Sequence, residues 1–436
     1  MQTQHSWLLR GARILDPAQG IDRIGDLLCV NGEFVDPQSA VCGCDSQILE
    51  IDGGGKIVMP SPIDLHVHFR QGAALGSANA AKPATSLSET IASGSCAAVK
   101  GGFATVVLMP NTEPPIDSAE AIRFQTSAPR HPFSKLQVLA TACCTNGRAG
   151  KECADLEALA AAGAVAFTDD GAMVADDSVM EEVMRRAAAL GLAVMDHAVV
   201  PSIARNGVVR DCPAARAHGL PIFPDEAETV AVARDIALCE KTGCRVHIQH
   251  LSCGGSVELI RAAQARGLPV TAEATPHHLF FAAEDIPCDD AAYKMNPPLG
   301  ARADVAALRQ GVIDGVISCF ATDHAPHSAE AKARGFVAAP FGVIGLETAL
   351  AATWTALVAS DAQPAIAPLD WAARWICEPA AVLGIEPPTF ASGSRSAATI
   401  LSLESWTVSK SDIASRSCNT PFIGATLAAK VWKMLG

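Results

Sequence analysis

"IDLHVH", residues 63–68, sets an apolar run around two histidines spaced two apart, and reading it as a strand decides the fold. In an extended segment His66 and His68 leave one face about 7 Å apart at the backbone, with Ile63, Leu65 and Val67 on the other. From residue 58 onward the same texture recurs: short apolar runs alternate with amphipathic segments of helical length. The runs are 63–68, 103–109, 136–141, 164–168, 192–197, 245–250, 270–274 and 316–322, eight in all. Strands alternating with helices build a parallel sheet, and eight such units predict a (β/α)8 TIM-type barrel over 58–384.

The intervening segments carry helix signals. Ser86 with Glu89 forms a capping box ahead of "TIASGSCAAVKGG". Residues 177–190 place apolar side chains at 179, 180, 183, 184 and 187, with Gly191 as the C-cap. "QGAALGSANAAKPATS", 71–86, reads as a flexible loop after the first barrel strand. Outside the barrel, residues 6–58 hold short β-like runs (Trp7–Leu9, Asp26–Val30, Gln47–Ile51), and the sequence after 385 returns to that texture. The expected α/β architecture is therefore a barrel plus one small β-sandwich-like domain made from 1–57 and 385–436.

Composition narrows the function. The 436 residues are 49% apolar and 18% charged, as suits a globular protein with a sizeable core. A net charge of −13 argues against nucleic-acid or anionic-membrane partners, since phosphates repel an acidic surface. The 15 cysteines show no CxxC pair, the start lacks a signal-peptide pattern, and no run of about 18 apolar residues occurs. A cytoplasmic protein is the expectation.

His197, His250 and Asp323 end three further strands, and in a barrel these ends meet His66 and His68 at the one face that carries chemistry. Imidazole and carboxylate without thiolate suit Zn²⁺ or a similar divalent ion, whereas Cys253 and Cys319 read as packing. Two metals a few ångströms apart need an anionic bridge, which Asp169 or Asp170 of "AFTDDG" could supply. If Val165 and Phe167 face the helices, Asp170 points into the mouth and Asp169 away.

Beyond these residues the chain resembles the amidohydrolase superfamily, specifically the type I dihydroorotase group. The motifs are "DLHVHFR", "ETIASGSCAAVKGGFATVVLMPNTEPP", "AFTDDG", "RVHIQHLSCGGSVELIRAAQARGLPVTAEATPHHL", "YKMNPPL", "ATDHAPHS", "PFGVIGLETAL" and "NTPFIG". The resemblance implies two zinc ions per chain, one on His66, His68 and Asp323, the other on His197 and His250, bridged by Asp170. It implies reversible cyclisation of N-carbamoyl-L-aspartate to L-dihydroorotate in pyrimidine synthesis, with Asp323 moving the proton. Arg70, Asn111 and His327 would meet the substrate carboxylate, and Asn296 with the backbone of Phe341 and Gly342 would hold the ring. A complex with aspartate carbamoyltransferase and a homo-oligomer are further expectations of the resemblance.

The chain departs from that pattern at Gln71-Gly72, where "EPG" is usual, at "HAVV" 197–200 for "HCED", and at Leu299-Gly300 for "NPPLR". Hydantoinase- or allantoinase-like cyclic amidases are the first alternative, disfavoured because such relatives usually bridge with a carboxylated lysine. A non-catalytic dihydroorotase-like subunit is the second, and such subunits typically lose metal ligands that are all present here.

Overall fold

The computed structural model describes residues 6–37, 48–73, 88–127, 135–287, 289–359 and 365–436. Eight short strands form the barrel: β1 (Ile63–Val67), β2 (Thr105–Leu108), β3 (Gln137–Ala140), β4 (Ala166–Phe167), β5 (Ala193–Asp196), β6 (Val246–Ile248), β7 (Val270–Ala274) and β8 (Cys319–Phe320). Each lies inside one of the eight predicted runs. All neighbouring pairs are parallel, and bridges Ala142↔Phe167 and Val67↔His324 join the two arcs into a ring. Helices cover the outside and side chains fill the inside, so most strand residues are buried on either face.

The alternation expected in β1 is broken. A register shift lies between Asp64 and Val67 against β2. Ile63 and Leu65 pack inward with Val107, Ala166 and Met195, while Val67 packs outward with the helices. The extra residue of such a bulge moves successive side chains off strict alternation. Val165 and Phe167 likewise part company: Val165 lies against the inner cluster and Phe167 belongs to the outer one.

Helix Ile91–Lys100 is capped by Thr90, whose hydroxyl accepts from the Ser93 N–H while Ser93 returns a bond to the Thr90 backbone. This corrects the box expected of Ser86 and Glu89. Ser86 and the loop expected at 71–86, beyond residue 73, lie outside the described residues, and Glu89 is buried, bonded to Ser93, Ser415 and His324. Helix Asp177–Ala189 forms as expected. It buries Met180, Val183, Met184 and Ala187 and is followed by Gly191 at φ +69°.

Both ends of the chain enter one seven-stranded sheet, ordered Lys430–Leu435, Ala398–Ser402, Lys56–Pro60, Trp7–Asp16, Ile21–Val30, Glu33–Val35, with Leu49–Asp52 also on Trp7–Asp16. Between Ser402 and Lys430 the chain leaves this sheet and packs on the barrel. Val408, Phe422 and Leu427 share a cluster with Phe281, Met295 and Val343. The 12 described cysteines form no disulfide, and no described helix is long and apolar enough to cross a membrane.

Candidate metal centre

The carboxyl ends of the strands open on a cavity of about 230 Å³, lined by His68, Arg70, Asn111, Asp170, Gly171, His197, His250, Asn296, Asp323, Ala325, His327, Phe341 and Gly342. His66 lies beside it, fully buried. Every site residue expected from the sequence is thus gathered at one place. Strain gathers there too: Arg70 (φ +45°), His250 (+32°) and Asp323 (+45°) are held in the left-handed region without being glycine.

His66 stands on the bulged end of β1. Its Nδ1 lies 2.8 Å from Glu273 Oε1, and a carboxylate only accepts, so Nδ1 carries the proton. That turns Nε2 toward Asp170 Oδ1 at 3.3 Å and Asp323 Oδ1 at 3.5 Å, and Nε2 has no hydrogen-bond partner. His68 sits between Asn111 Oδ1 (2.8 Å from Nδ1) and Asp323 Oδ1 (2.9 Å from Nε2). Asn111 also donates to Asp170 Oδ2 at 2.9 Å, so its amide ties two candidate ligands together. His197 Nδ1 lies 2.8 Å from His250 Nε2, and Asn296 Nδ2 is 3.0 Å from His197 Nε2. With Asn296 donating, His197 donates in turn to His250, which leaves His250 Nδ1 buried and unpartnered.

The two aspartates of the strand-four turn are sorted. Asp170 faces the cavity, whereas Asp169 accepts the Thr145 N–H at 3.2 Å and the Thr145 hydroxyl. Counting from Phe167 alone gives this result; the assumed partnership of Val165 with Phe167 does not hold.

The field here is strongly negative. Burial alone would push the Asp170 carboxyl up, but His66, His68 and His197 outweigh it and hold it well below the usual range. Burial disfavours the His66 cation, yet Asp170, Glu273 and Asp323 raise its pKa well above 6.5. Burial, with His197 and His66 nearby, keeps His250 well below its ordinary value. Burial also lowers Arg70, the one arginine or lysine among the described residues that line the cavity, to about 10, and pushes His327 down to about 3, where it is neutral and donates Nε2–H to Phe341 O at 2.7 Å.

Two groups of donors, His66/Asp170/His250 and His66/His68/Asp323, each converge within 4.8 Å. Two buried triads that share a histidine, the orphaned Nε2 of that His66 and excess buried carboxylate fit a binuclear site for divalent cations. His197 belongs to neither group; its Nδ1 is 3.8 Å from Asp170 Oδ1.

Sequence reasoning missed several residues that hold this arrangement. Glu273 orients His66 and accepts the His250 N–H at 3.2 Å; the signal was a lone carboxylate inside "VTAEA". Arg148 donates to Asp169 O at 3.2 Å and Asp170 O at 2.5 Å, fixing the turn from behind. Asn419, from the excursion of the C-terminal segment, accepts from the His327 N–H at 3.1 Å and donates to the carbonyls of Ala325 and Gly342, both at 3.0 Å.

A family model described as "Dihydro-orotase-like" matches residues 55–256. The chain is 42% identical over 380 residues to a dihydroorotase of Geobacillus thermodenitrificans (strain NG80-2), covering 86% of this chain and 84% of that protein. It is 38% identical over 426 residues to a dihydroorotase of Pelotomaculum thermopropionicum, covering 98% and 96%. Among solved structures, an L-hydantoinase (dihydropyrimidinase) from Arthrobacter aurescens superposes with a TM-score of 0.78 at 23% identity, over 98% of this chain and 94% of that one. A D-hydantoinase gives 0.79 at 22% identity, over 98% and 93%. At such identity the structural likeness speaks for the fold alone: a TIM barrel with a β-sandwich domain built from both termini.

Proposed function

The chain belongs to the dihydroorotase family of the amidohydrolase superfamily, and from that premise we propose that it interconverts N-carbamoyl-L-aspartate and L-dihydroorotate, losing water on ring closure. The observation that carries this is the cavity in which Arg70, Asp323 and the paired histidines converge around Asp170. The all-N/O donor set suits zinc, two ions per chain, on His66, His68, Asp170, His197, His250 and Asp323. When bound, such ions supply Lewis acidity to the amide carbonyl and lower the pKa of water.

The chain's own residues do the rest. Asp323 is kept ionised against its burial by His66, His68 and His250, and one of its oxygens is already oriented by His68. In hydrolysis it takes the proton of the attacking water and delivers it to the ring nitrogen as the C–N bond breaks. In ring closure it accepts the carbamoyl N–H proton and returns it to the departing oxygen. Arg70 supplies a partly buried guanidinium for the carboxylate the ring retains, with Asn111 and His327 beside it. Asn296 and the Phe341–Gly342 peptide wall the ring; a Cβ at Gly342 would meet Ala325 Cβ at 2.8 Å, so only glycine lets the wall stand this close.

The same reading assigns 1–57 with 385–436 to the small β domain, apart from the 403–429 excursion onto the barrel, and 58–384 to the catalytic barrel. It extends to a cytoplasmic setting, self-association and a complex with aspartate carbamoyltransferase. The test is bound zinc and dihydroorotate turnover on the purified protein, alone and with that partner. Zinc near zero per chain and no turnover in either case refutes the catalytic reading.

A further inference from the structure

We propose that Lys294 and Lys332 are positioning residues that clamp the Phe341–Gly342 peptide as the rigid wall of the substrate cavity, an inference that rests on the dihydroorotase reading. Lys294 is 2% exposed, and its Nζ donates to Val337 O at 2.9 Å and Ala339 O at 2.6 Å while lying 4.4 Å from the centre of the Phe341 ring. Lys332 Nζ donates to Lys294 O at 3.1 Å, Pro340 O at 3.1 Å and Gly342 O at 2.9 Å. The Gly342 N–H closes the set on Lys294 O at 3.0 Å.

Two ammonium groups thus hold four carbonyls of the 337–342 loop, and neither makes an ion pair with a described carboxylate. Burying cations without counter-ions is costly. Desolvation, with Lys294 nearby, brings Lys332 down to about 7, so the strain is felt on the side chain itself. An apolar side chain would fill the same space more cheaply; what it could not do is fix the peptide plane. The far side of that peptide is fixed as well, by His327 Nε2 on Phe341 O. A ring held by this wall gains affinity from preorganisation, so loosening the loop weakens binding and leaves the metal ligands and Asp323 as they were.

The test compares wild type, Lys332→Ala, Lys332→Gln and Lys294→Met in zinc content, KM and kcat for dihydroorotate. Lys332 is only partly buried, so its variants carry the test even where Lys294→Met fails to fold. The expected result for Lys332→Ala is a KM raised about tenfold with kcat within about threefold of wild type and unchanged zinc, Lys332→Gln recovering part of the KM through its two amide donors. A folded Lys332→Ala with wild-type KM overturns the clamp alone. A wild-type protein that binds zinc and does not turn over dihydroorotate overturns the functional reading and the clamp with it.

Discussion

Replacing Glu273 with glutamine removes one negative charge and leaves the shape of the site in place. Glu273 Oε1 accepts from His66 Nδ1 at 2.8 Å and from the His250 N–H at 3.2 Å, and Oε2 faces His247 Nε2 at 3.1 Å. A glutamine whose oxygen takes the Oε1 position keeps both acceptor contacts, and its NH₂ can donate to His247 once that ring changes tautomer. What changes is the His66 bond, from charge-assisted to neutral, a difference of about 1–2 kcal/mol. At about 1.4 kcal/mol per decade this lowers affinity for metal on His66 Nε2 roughly fivefold to thirtyfold, overlapping the lower end of the range for groups that orient metal-binding imidazoles. The assay is zinc occupancy against a graded chelator, with turnover measured again at saturating zinc. Affinity should fall while saturated activity returns to within about tenfold of wild type. Unchanged zinc affinity in a folded Glu273→Gln protein refutes the assignment of Glu273 as the group that aims His66.

Asp170→Ala should abolish both zinc retention and turnover, whereas Asp169→Ala should keep zinc and lose about 2–3 kcal/mol of stability in urea titration, because it strands the two Thr145 donors. Gly342→Ala places a Cβ 3.0 Å from His327 Nε2 at a φ of +130°; we expect KM for dihydroorotate to rise at least about tenfold, and an unchanged KM would count against the wall. Asp412 is held down to about 2 by Lys430 Nζ at 2.8 Å and the Ser409 N–H at 3.0 Å, which outweigh its desolvation. A depressed carboxylate stabilises above its unfolded pKa, here about 3.8, and that contribution is lost as pH falls through about 2. Asp412→Asn should therefore cost about 1 kcal/mol at pH 6 and almost nothing at pH 2, read from denaturant midpoints at the two pH values.

What could be read in the sequence, and what could not, divides along a physical line. The eight barrel strands are legible because a strand buried on both faces has to be apolar along its length, and the candidate ligands are legible because each breaks that rule at a strand's carboxyl end, as His68, His197, His250 and Asp323 do. Failures begin where a local pattern has two solutions. "SLSETIAS" offers Ser86/Glu89 or Thr90/Ser93 as a capping box, and the choice falls to Thr90 because Glu89 is drawn into bonds with His324 and Ser415. The bulge in β1 is set by Asp64, whose Oδ1 accepts the Thr322 N–H at 3.0 Å and the His66 N–H at 3.2 Å, and whose Oδ2 takes the Thr322 hydroxyl at 2.5 Å. Its partner lies 258 residues away, so no window on "IDLHVH" could show it. The excursion of the C-terminal segment onto the barrel is hidden for the same reason: short apolar runs between turns say that a segment is packed and are silent on its neighbour. Asn419 shows the consequence. It sits in a loop-like stretch near the chain's end, yet it binds both 325–327 and 342, loops that line the cavity. The candidate ligands are therefore a local property of strand ends, whereas their aim is a property of long-range contacts, and variants of Glu273, Lys332 and Asn419 test the second with every candidate ligand left in place.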